Sequence, residues 1–336
     1  MRALLLSLLV TGISLSPALA ERFILSGQTM GTTFNVTVAN PPKGVTAKTA
    51  EAAITSALTV VNAKMNNWDP NSEVSQFNAT HSTAPVSISA EFAQVMAEAD
   101  RIHDLTSGAF DVTLAPLIEL WGFGAKEPGE PIPSQAEIDT ALSHMGQSEK
   151  IRLTDTSLQK TEADVSVQLA AIAKGYGVDA IANALAALGS ENHLVEIGGD
   201  LFAAGLNDKG KPWVIGVERP DALGGLQTIV PVSGYGMATS GDYRNYFEED
   251  GIRYSHIIDP TTGRPVTHKT ASVTVLAPSA MSADGLATAL LVVDGDKALD
   301  IARENDIAVL LIQRKGSGFV TETSPAFDAL IAEFNN

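Results

Sequence analysis

The sequence predicts an α+β fold, in which mostly antiparallel sheets have helices packed against them. Apolar residues recur at helical spacing in segments that form separate groups, whereas much of the second half contains one strand-like run after another. Because strands and helices do not alternate along the chain, an α+β architecture is favoured over a parallel α/β sheet. The chain has 336 residues, of which 45% are hydrophobic, so its core can be large. Its sequence shows no repeat or flexible linker, which predicts one continuous domain or two closely joined subdomains.

The first 20 residues have the composition of a cleavable export signal. Arg2 supplies a positive charge, residues 4–13 are apolar, and Ala18-Leu19-Ala20 has the small-x-small pattern of a cleavage site. We therefore expect a mature domain of residues 21–336 in the periplasm, without a lipid anchor, because the chain contains no cysteine. An uncleaved N-terminal anchor is the alternative, but the apolar run is shorter than the ~20 residues that a membrane-spanning helix needs.

Charge and cysteine content exclude several classes of function. The formal net charge of −17 argues against a nucleic-acid partner and against an anionic bilayer, so any contact with a membrane should be peripheral. The absence of cysteine excludes disulfides, thiolate metal sites and cysteine nucleophiles. An anionic substrate would need a metal ion or a placed Lys or Arg in so acidic a protein.

The predicted elements follow in chain order. Residues 22–25 and 32–38 are predicted as strands on either side of Met30 and Gly31, and residues 46–65 and 91–105 as amphipathic helices. An S-x-x-E capping box at residues 134–137 predicts the start of a short helix. A further helix is predicted over residues 170–188. The later strands are predicted at residues 194–197, 201–204, 213–218, 228–232, 254–258 and 272–276, followed by helices at 280–292 and 297–304 and a last strand at 308–313.

Three side chains in these elements are candidates for chemistry. Asp284 and Thr288 lie four residues apart on a predicted helix, so their oxygens project from one face. Together with nearby backbone carbonyls they would suit Mg²⁺, which prefers oxygen ligands, although a cap or a solvent-exposed face is the alternative. His256 lies within the predicted strand 254–258. Its ordinary pKa near working pH makes it the best-placed general base, with a structural histidine as the alternative.

Lys174 is a single cation at a predicted helix start, beside Gly175. A positive charge and free backbone N–H groups at such a position could both meet a phosphate group. The alternative is an ordinary lysine whose stem is buried and whose ammonium group reaches solvent. The sequence contains no G-x-x-x-x-G-K-[ST], G-x-G-x-x-G or H-E-x-x-H motif, so the common nucleotide and zinc signatures are absent.

Short motifs throughout the mature chain resemble those of one family. They are, in order, Met30-Gly31-Thr32, Ser72-Glu73-Val74-Ser75, Ser107-Gly108-Ala109-Phe110-Asp111, Trp121-Gly122-Phe123-Gly124, Ala171-Ile172-Ala173-Lys174-Gly175, Val195-Glu196-Ile197-Gly198-Gly199-Asp200, Ala238-Thr239-Ser240-Gly241-Asp242, His256-Ile257-Ile258-Asp259-Pro260 and Ala283-Asp284 with Ala287-Thr288. In this collinear order they resemble the ApbE family of exported FAD:protein FMN transferases. Each motif is weak alone, but the set covers nearly all of the mature chain.

The resemblance implies an ApbE-like fold and a reaction. FAD is bound with Mg²⁺, a threonine hydroxyl of an acceptor protein attacks the phosphorus on the FMN side, and AMP leaves. Asp284, Thr288 and the backbone carbonyl of Ala171 would hold the metal ion. His256 would take the threonine proton, with Lys174 as a second catalytic residue. The positions where the family contacts FAD correspond to Met30, Asn67, Trp68, Asp69, Asp111, Lys174, Thr239, Ser240, Gly241, His256 and Ile257.

Two further expectations accompany the resemblance. The acceptor is expected to be a flavoprotein subunit of a membrane respiratory or redox complex. Gln168 stands where the family usually has Asp, so a second-shell or additional metal contact is left open, as is the number of metal ions. The alternatives to the transferase are a periplasmic pyrophosphatase that splits FAD into FMN and AMP, and a flavin-binding or flavin-delivery protein without turnover.

Overall fold

The computed structural model describes residues 22–123, 132–221 and 225–334, and the signal predicted over residues 1–20 lies outside them. The helices are α1 Ala47–Met65, α2 Glu73–Ala79, α3 Ala90–Leu105, α4 Ala115–Leu120, α5 Gln135–Ser143, α6 Gln147–Lys150, α7 Ala173–Ala187, α8 Ala280–Val292, α9 Gly295–Glu304 and α10 Pro325–Phe334. Within these ranges, no helix combines the length and the apolar character needed to cross a membrane.

The strands of the described residues build one large sheet and four small ones. They are β1 Arg22–Thr29, β2 Thr32–Ala39, β3 Val86–Ser87, β4 Ile151–Leu153, β5 Ser157–Lys160, β6 His193–Ile197, β7 Asp200–Ala204, β8 Trp213–Glu218, β9 Leu226–Val232, β10 Tyr235–Gly241, β11 Tyr246–Glu249, β12 Ile252–Ser255, β13 Ile258–Asp259, β14 Arg264–Pro265, β15 Thr270–Ala277, β16 Ala308–Lys315 and β17 Gly318–Thr323. The large sheet has the order β1-β2-β6-β7-β10-β15-β16-β17. Every strand pair in the described ranges is antiparallel, which confirms the predicted α+β fold.

Helix α8 lies at the centre of the molecule. It packs against β10, β15, α3 and α7, and eleven of its thirteen residues are buried. This near-complete burial follows from the sequence, in which ten of the thirteen residues are Ala, Gly, Leu, Met or Val and the other three are Ser282, Asp284 and Thr288. At Gly285 an added Cβ would overlap the side chain of Ile102, so glycine is needed for α3 to approach. The helix that carries Asp284 and Thr288 is therefore a core element.

The first hairpin follows the prediction closely. Strands β1 and β2 pair along their whole length around a two-residue turn at Met30 (φ 50°) and Gly31 (φ 74°). Two consecutive positive φ values are typical of the turn that matches the twist of a hairpin. Glycine adopts this conformation freely, whereas Met30 adopts it at a cost. Helix α1 likewise begins after Thr46, which caps it together with Thr49.

The structure corrects the predicted elements at several places, of which the following bear on the site or on the large sheet. The run 254–258 is two strands, β12 and β13, because His256 and Ile257 leave the ladder between them. Strand β10 was not predicted, since its sequence YGMATSG has two glycines and few strong strand formers. It forms because its neighbours β7 and β15 pair with it on both sides. Strand β17 and helix α10 also follow the strand that was predicted to be the last.

Candidate active site

One cavity of about 420 Å³ gathers most of the predicted site residues. Its walls come from the start of α7, the middle of α8, strand β10, strand β8 and the segment between β12 and β13. The predicted site residues that line it are Asp111, Ala171, Lys174, Thr239, Ser240, Gly241, His256, Ile257, Asp284 and Thr288. A volume of this size is typical of a small-molecule site.

Asp284, on α8, is held in place by a hydrogen bond from the neighbouring helix α7. The residue is 3% exposed, and its Oδ2 atom accepts a hydrogen bond from the backbone N–H of Gly175 at 3.0 Å. In an α-helix each N–H donates to the carbonyl four residues earlier, so if α7 began one turn earlier, the N–H of Gly175 would donate to the carbonyl of Ala171. Because α7 begins only at Ala173, and Gly175 donates to Asp284 instead, the Ala171 carbonyl lacks its usual helical partner. The predicted metal-binding acid and carbonyl are thus linked through one backbone donor.

Lys174 forms ion pairs with two carboxylates. Its Nζ atom contacts Oδ2 of Asp200 and lies 3.5 Å from Oδ1 of Asp284. Burial by itself would lower the pKa of Lys174, but the attraction of Asp284 and Asp200 outweighs burial and raises this pKa. Burial and the negative charge of Asp284 raise the pKa of Asp200 to about 7, although Lys174 opposes this shift. Lys174 is therefore held as a cation between two acids.

Thr288 extends the polar surface one turn along α8. Its Oγ1 atom lies 3.1 Å from the Oγ atom of Ser240, so the two hydroxyls share a hydrogen bond. The neighbouring residue on β10, Thr239, bonds to Thr274 at 2.8 Å between hydroxyl oxygens. The first bond joins β10 to α8, and the second joins β10 to β15. The cavity therefore presents two hydroxyls and a carboxylate from rigid elements.

His256 is held in one tautomer. Its Nδ1 atom lies 3.0 Å from the backbone oxygen of Asn245, and because a carbonyl can only accept, Nδ1 carries the hydrogen. The lone pair of Nε2 is therefore free to accept a proton. Burial lowers the pKa of His256, which favours the neutral ring. Phe123 packs edge-on against the imidazole, with ring centroids 6.4 Å apart.

The residues present fit a magnesium ion. Asp284, Thr288 and Ala171 line one cavity and offer only oxygen atoms, which is the donor set that Mg²⁺ prefers. Asp284 brings a negative charge, and the Ala171 carbonyl is released from its helical hydrogen bond. Among the described residues, no group of three His, Cys, Asp or Glu side chains forms a metal site. Any ion here would depend on the hydroxyl and the carbonyl as well as the acid.

Four predicted contacts with FAD do not line the cavity. Met30 packs against the main core cluster. Asn67 holds the chain before α7, since its amide donates to the oxygen of Val167 at 2.7 Å and accepts from the N–H of Leu169 at 2.9 Å. Asp69 accepts two hydrogen bonds from Asn71 within its own turn.

The tryptophan among the predicted FAD contacts lies at the surface. Trp68 is 71% exposed, in the turn between α1 and α2. By contrast, Asp111 lines the cavity, but its carboxylate already accepts hydrogen bonds from the backbone and hydroxyl of Thr113 and from the backbone of Gln147. The FAD contacts of Trp68, Asp69, Met30 and Asn67 stay predictions.

Sequence reasoning missed several residues of the site. Asp200 follows two glycines, and the sequence Gly-Gly-Asp is typical of a turn, so it gives no indication that Asp200 pairs with Lys174. Asn245 contributes through a backbone oxygen, which no side-chain pattern reveals. Gln168, by contrast, was already noted as a departure from the family pattern; it lines the cavity, and its buried Oε1 atom has no hydrogen-bond partner in the ranges that the structure describes.

The chain has clear relatives among known proteins. The model of the ApbE family matches residues 30–311. The chain belongs to the ApbE family. An FAD:protein FMN transferase of Haemophilus influenzae is 43% identical, over an alignment that covers 98% of this chain and 99% of that protein. Another ApbE relative, the FAD:protein FMN transferase of Vibrio cholerae, is 42% identical, with 94% of each chain covered.

Solved structures of ApbE proteins share the fold. The flavin transferase ApbE from Vibrio cholerae has a TM-score of 0.86 at 41% identity, and the match covers 92% of this chain and 99% of that one. The apo form of the flavinyl transferase ApbE from Pseudomonas stutzeri has a TM-score of 0.86 at 37% identity, covering 94% and 99%. The ApbE-like fold predicted from the motifs is therefore confirmed.

Proposed function

We propose that this chain is an FAD:protein FMN transferase. It transfers the FMN part of FAD to a threonine hydroxyl of an acceptor flavoprotein through a phosphoester bond and releases AMP. One observation carries the proposal: a histidine with a free Nε2 lone pair lines the same cavity as an acid, a hydroxyl and a carbonyl suited to Mg²⁺. The relatives named as FAD:protein FMN transferases support the same activity.

His256 acts as the general base in this reaction. Its Nε2 atom accepts the proton of the acceptor hydroxyl, whose oxygen forms a bond to the phosphorus on the FMN side. The bond from that phosphorus to the bridging oxygen breaks, and AMP carries the electron pair away. The fixed hydrogen bond from Nδ1 to Asn245 keeps Nε2 unprotonated and aimed. Neutrality, which burial favours, leaves the ring ready to accept a proton near pH 7.

Asp284, Thr288 and the Ala171 carbonyl would hold a magnesium ion. When bound, Mg²⁺ neutralises the pyrophosphate and the charge that develops on the leaving group. Lys174 adds a fixed positive charge beside Asp284. Its pairing with Asp200 holds the ammonium group in place, so the long side chain does not have to be ordered when the substrate binds. This explains how a protein with a net charge of −17 accepts a dianionic pyrophosphate.

We further propose that the reaction takes place in the periplasm. The N-terminal signal supports export to the periplasm, where the acceptor would be an exported or membrane-associated flavoprotein subunit of a redox complex. The net acidity supports a partner other than nucleic acid.

A labelling assay tests the proposed activity. Residues 21–336 are incubated with FAD, Mg²⁺ and an acceptor domain, and the acceptor is analysed by intact-mass spectrometry while AMP and FMN are separated by chromatography. Covalently flavinylated acceptor with an equal amount of AMP is the expected result. Free FMN with unlabelled acceptor would identify a pyrophosphatase, and bound but unchanged FAD would identify a binding or delivery protein.

A further inference from the structure

Helix α8 is attached to α7 by a carboxylate outside the cavity. The side chain of Asp179 on α7 accepts two hydrogen bonds, from the backbone N–H of Ala280 at 2.8 Å and from that of Met281 at 2.9 Å. These are the first two donors of α8, and the hydroxyl of Ser279 takes a third, from Ser282 at 3.1 Å. The N-terminus of α8 is therefore capped from another helix as well as by its own N-cap.

Close packing around Ala280 makes this attachment tight. A Cβ added to Gly175 would overlap the carbonyl group of Ala280, and one added to Gly236 on β10 would overlap its backbone nitrogen. Glycine at both positions thus lets α7 and β10 approach the first residue of α8. In packing this close, a change in the groups that hold the start of α8 is transmitted to the rest of the helix.

The two links between the helices lie one helical turn apart. Gly175 and Asp179 are four residues apart on α7, so they share the face that meets α8. Gly175 donates to Asp284, and Asp179 receives from Ala280, which is four residues before Asp284. The first turn of α8 is therefore held at both of its ends by one turn of α7.

We propose that Asp179 is a positioning residue, which sets where Asp284 and Thr288 stand relative to Lys174 and Ala171. The inference rests on the proposed function, because those four residues form its metal and phosphate site. Asp179 is not among the residues that line the cavity, so it acts through α8. A carboxylate suits this place, since the positive end of the helix dipole favours a negative charge.

Asparagine at position 179 would have nearly the same size as aspartate, but it could not accept both hydrogen bonds from the start of α8. One of the two carboxylate oxygens becomes an NH₂ group, which would face a backbone N–H with no acceptor between them. The start of α8 must then shift, and Asp284 and Thr288 shift with it. Outer partners of metal ligands typically change metal affinity by about 10- to 100-fold when they are mutated.

The test compares Asp179→Asn with Asp294→Asn. Asp294 also lies at a helix N-terminus, where it caps α9 by accepting from the backbone of Asp296 at 3.1 Å, so the chemical change and the helix position are matched. Mn²⁺ is titrated into each protein in the presence of FAD, and unbound Mn²⁺ is measured by electron paramagnetic resonance. Melting temperatures and the Mg²⁺ concentration for half-maximal transfer are measured in parallel.

We expect Asp179→Asn to weaken Mn²⁺ binding and to raise the Mg²⁺ requirement by about 10- to 100-fold. Asp294→Asn should leave both at the wild-type values. If Asp179→Asn does not fold, Asp179→Glu is measured instead; its longer arm keeps the charge but displaces α8, so weaker Mn²⁺ binding is again expected. Unchanged Mn²⁺ binding in a folded Asp179 variant would overturn the inference. Wild-type protein that binds Mn²⁺ but transfers no flavin would refute the proposed function alone.

Discussion

Arg314 donates two hydrogen bonds to the buried carboxylate of Asp242, from Nη1 at 2.8 Å and from Nη2 at 2.5 Å. This paired geometry ties strand β16 to the residue that directly follows β10. The chain then turns through Tyr243 to Asn245, whose backbone oxygen orients His256. An ion pair outside the cavity therefore supports the segment that orients the proposed general base.

Replacement of Arg314 should destabilise the fold. Arg314→Leu leaves the carboxylate of Asp242 buried without its charge partner, and such losses cost about 3 kcal/mol. Urea denaturation measures the change in the free energy of unfolding. Arg303→Leu is the control, because its partner Asp300 is exposed and such pairs contribute about 0.5 kcal/mol. Similar losses in the two variants would show that the Arg314 pair has no special role.

Replacement of His256 should stop transfer and spare binding. His256→Asn removes the base, and loss of a general base lowers rates by about 10²- to 10⁴-fold. Binding of FAD, followed by flavin fluorescence, should remain close to that of the wild type. His81→Asn is a suitable control, because the His81 side chain is 81% exposed.

The pH dependence of transfer gives a second measure of the same role. Burial lowers the pKa of His256 below its ordinary value of 6.5, so the ring stays neutral, and active, to lower pH than a free histidine. The rate should be constant above pH 6.5 and fall as the pH drops through the lowered pKa. A rate that falls in this way in His256→Asn as well would assign the titration to another group.

Replacement of Asp284 should remove the dependence on metal. Asp284→Asn keeps the size of the side chain but loses its charge, and a catalytic metal contributes about 4 kcal/mol of charge stabilisation, or roughly 10³-fold in rate. Transfer measured against Mg²⁺ concentration should fall by that factor and show no saturation. Asp300→Asn, on the exposed face of α9, serves as the control. Normal saturation by Mg²⁺ in Asp284→Asn would rule out this ligand.

Replacement of Gly175 by alanine should destabilise the protein, although helix propensity alone predicts the opposite. Alanine is favoured over glycine inside a helix by about 1 kcal/mol. Its Cβ would nevertheless overlap the carbonyl of Ala280, and overpacking of this kind costs about 1 to 3 kcal/mol. Gly318→Ala is the control, because nothing lies within 4 Å of a Cβ there. Thermal melting of the two variants checks the prediction, which a more stable Gly175→Ala protein would contradict.

His193 should make stability fall in acid. Burial lowers its pKa from 6.5 to about 4 in the folded protein, while the unfolded chain regains the ordinary value. The unfolded state therefore binds more protons between these two pH values, so the free energy of unfolding decreases as the pH falls from 6.5 towards 4. Between pH 7 and pH 5 the loss amounts to about 2 kcal/mol.

Comparison with a variant isolates this contribution. His193→Leu removes the titrating group, so the difference in free energy of unfolding between wild type and variant should change by about 2 kcal/mol from pH 7 to pH 5. Denaturation curves at the two pH values measure it. Asp179 and Asp200, whose pKa values burial raises, titrate in both proteins and cancel in the difference. Parallel pH dependence in the two proteins would show that His193 does not titrate as stated.

Local patterns were enough to predict the parts of the site that lie on regular elements. Helix α8 has the predicted bounds of residues 280–292, because an apolar run that starts after a serine cap leaves little choice of structure. The spacing of Asp284 and Thr288 then follows from helix geometry alone.

Other parts depend on tertiary packing and could not be predicted. Strand β10 contains residues with low strand propensity and exists because two neighbours pair with it. Asp200 reaches Lys174 only because β6 and β7 fold back beside α7, so residues 26 positions apart meet. Asn67 was predicted only as a contact with FAD, and its hydrogen bond to the backbone of Val167, a hundred residues later, could not be read from the sequence.

The burial of α8 divides the cavity into a fixed wall and an adaptable one. Asp284 and Thr288 are anchored in the molecular interior, so their positions change only if the core itself rearranges. The opposite wall, from β8 and the segment around His256, is built from short two-stranded ribbons near the surface. Substitutions on that side can therefore change the shape of the cavity while Asp284 and Thr288 keep their positions.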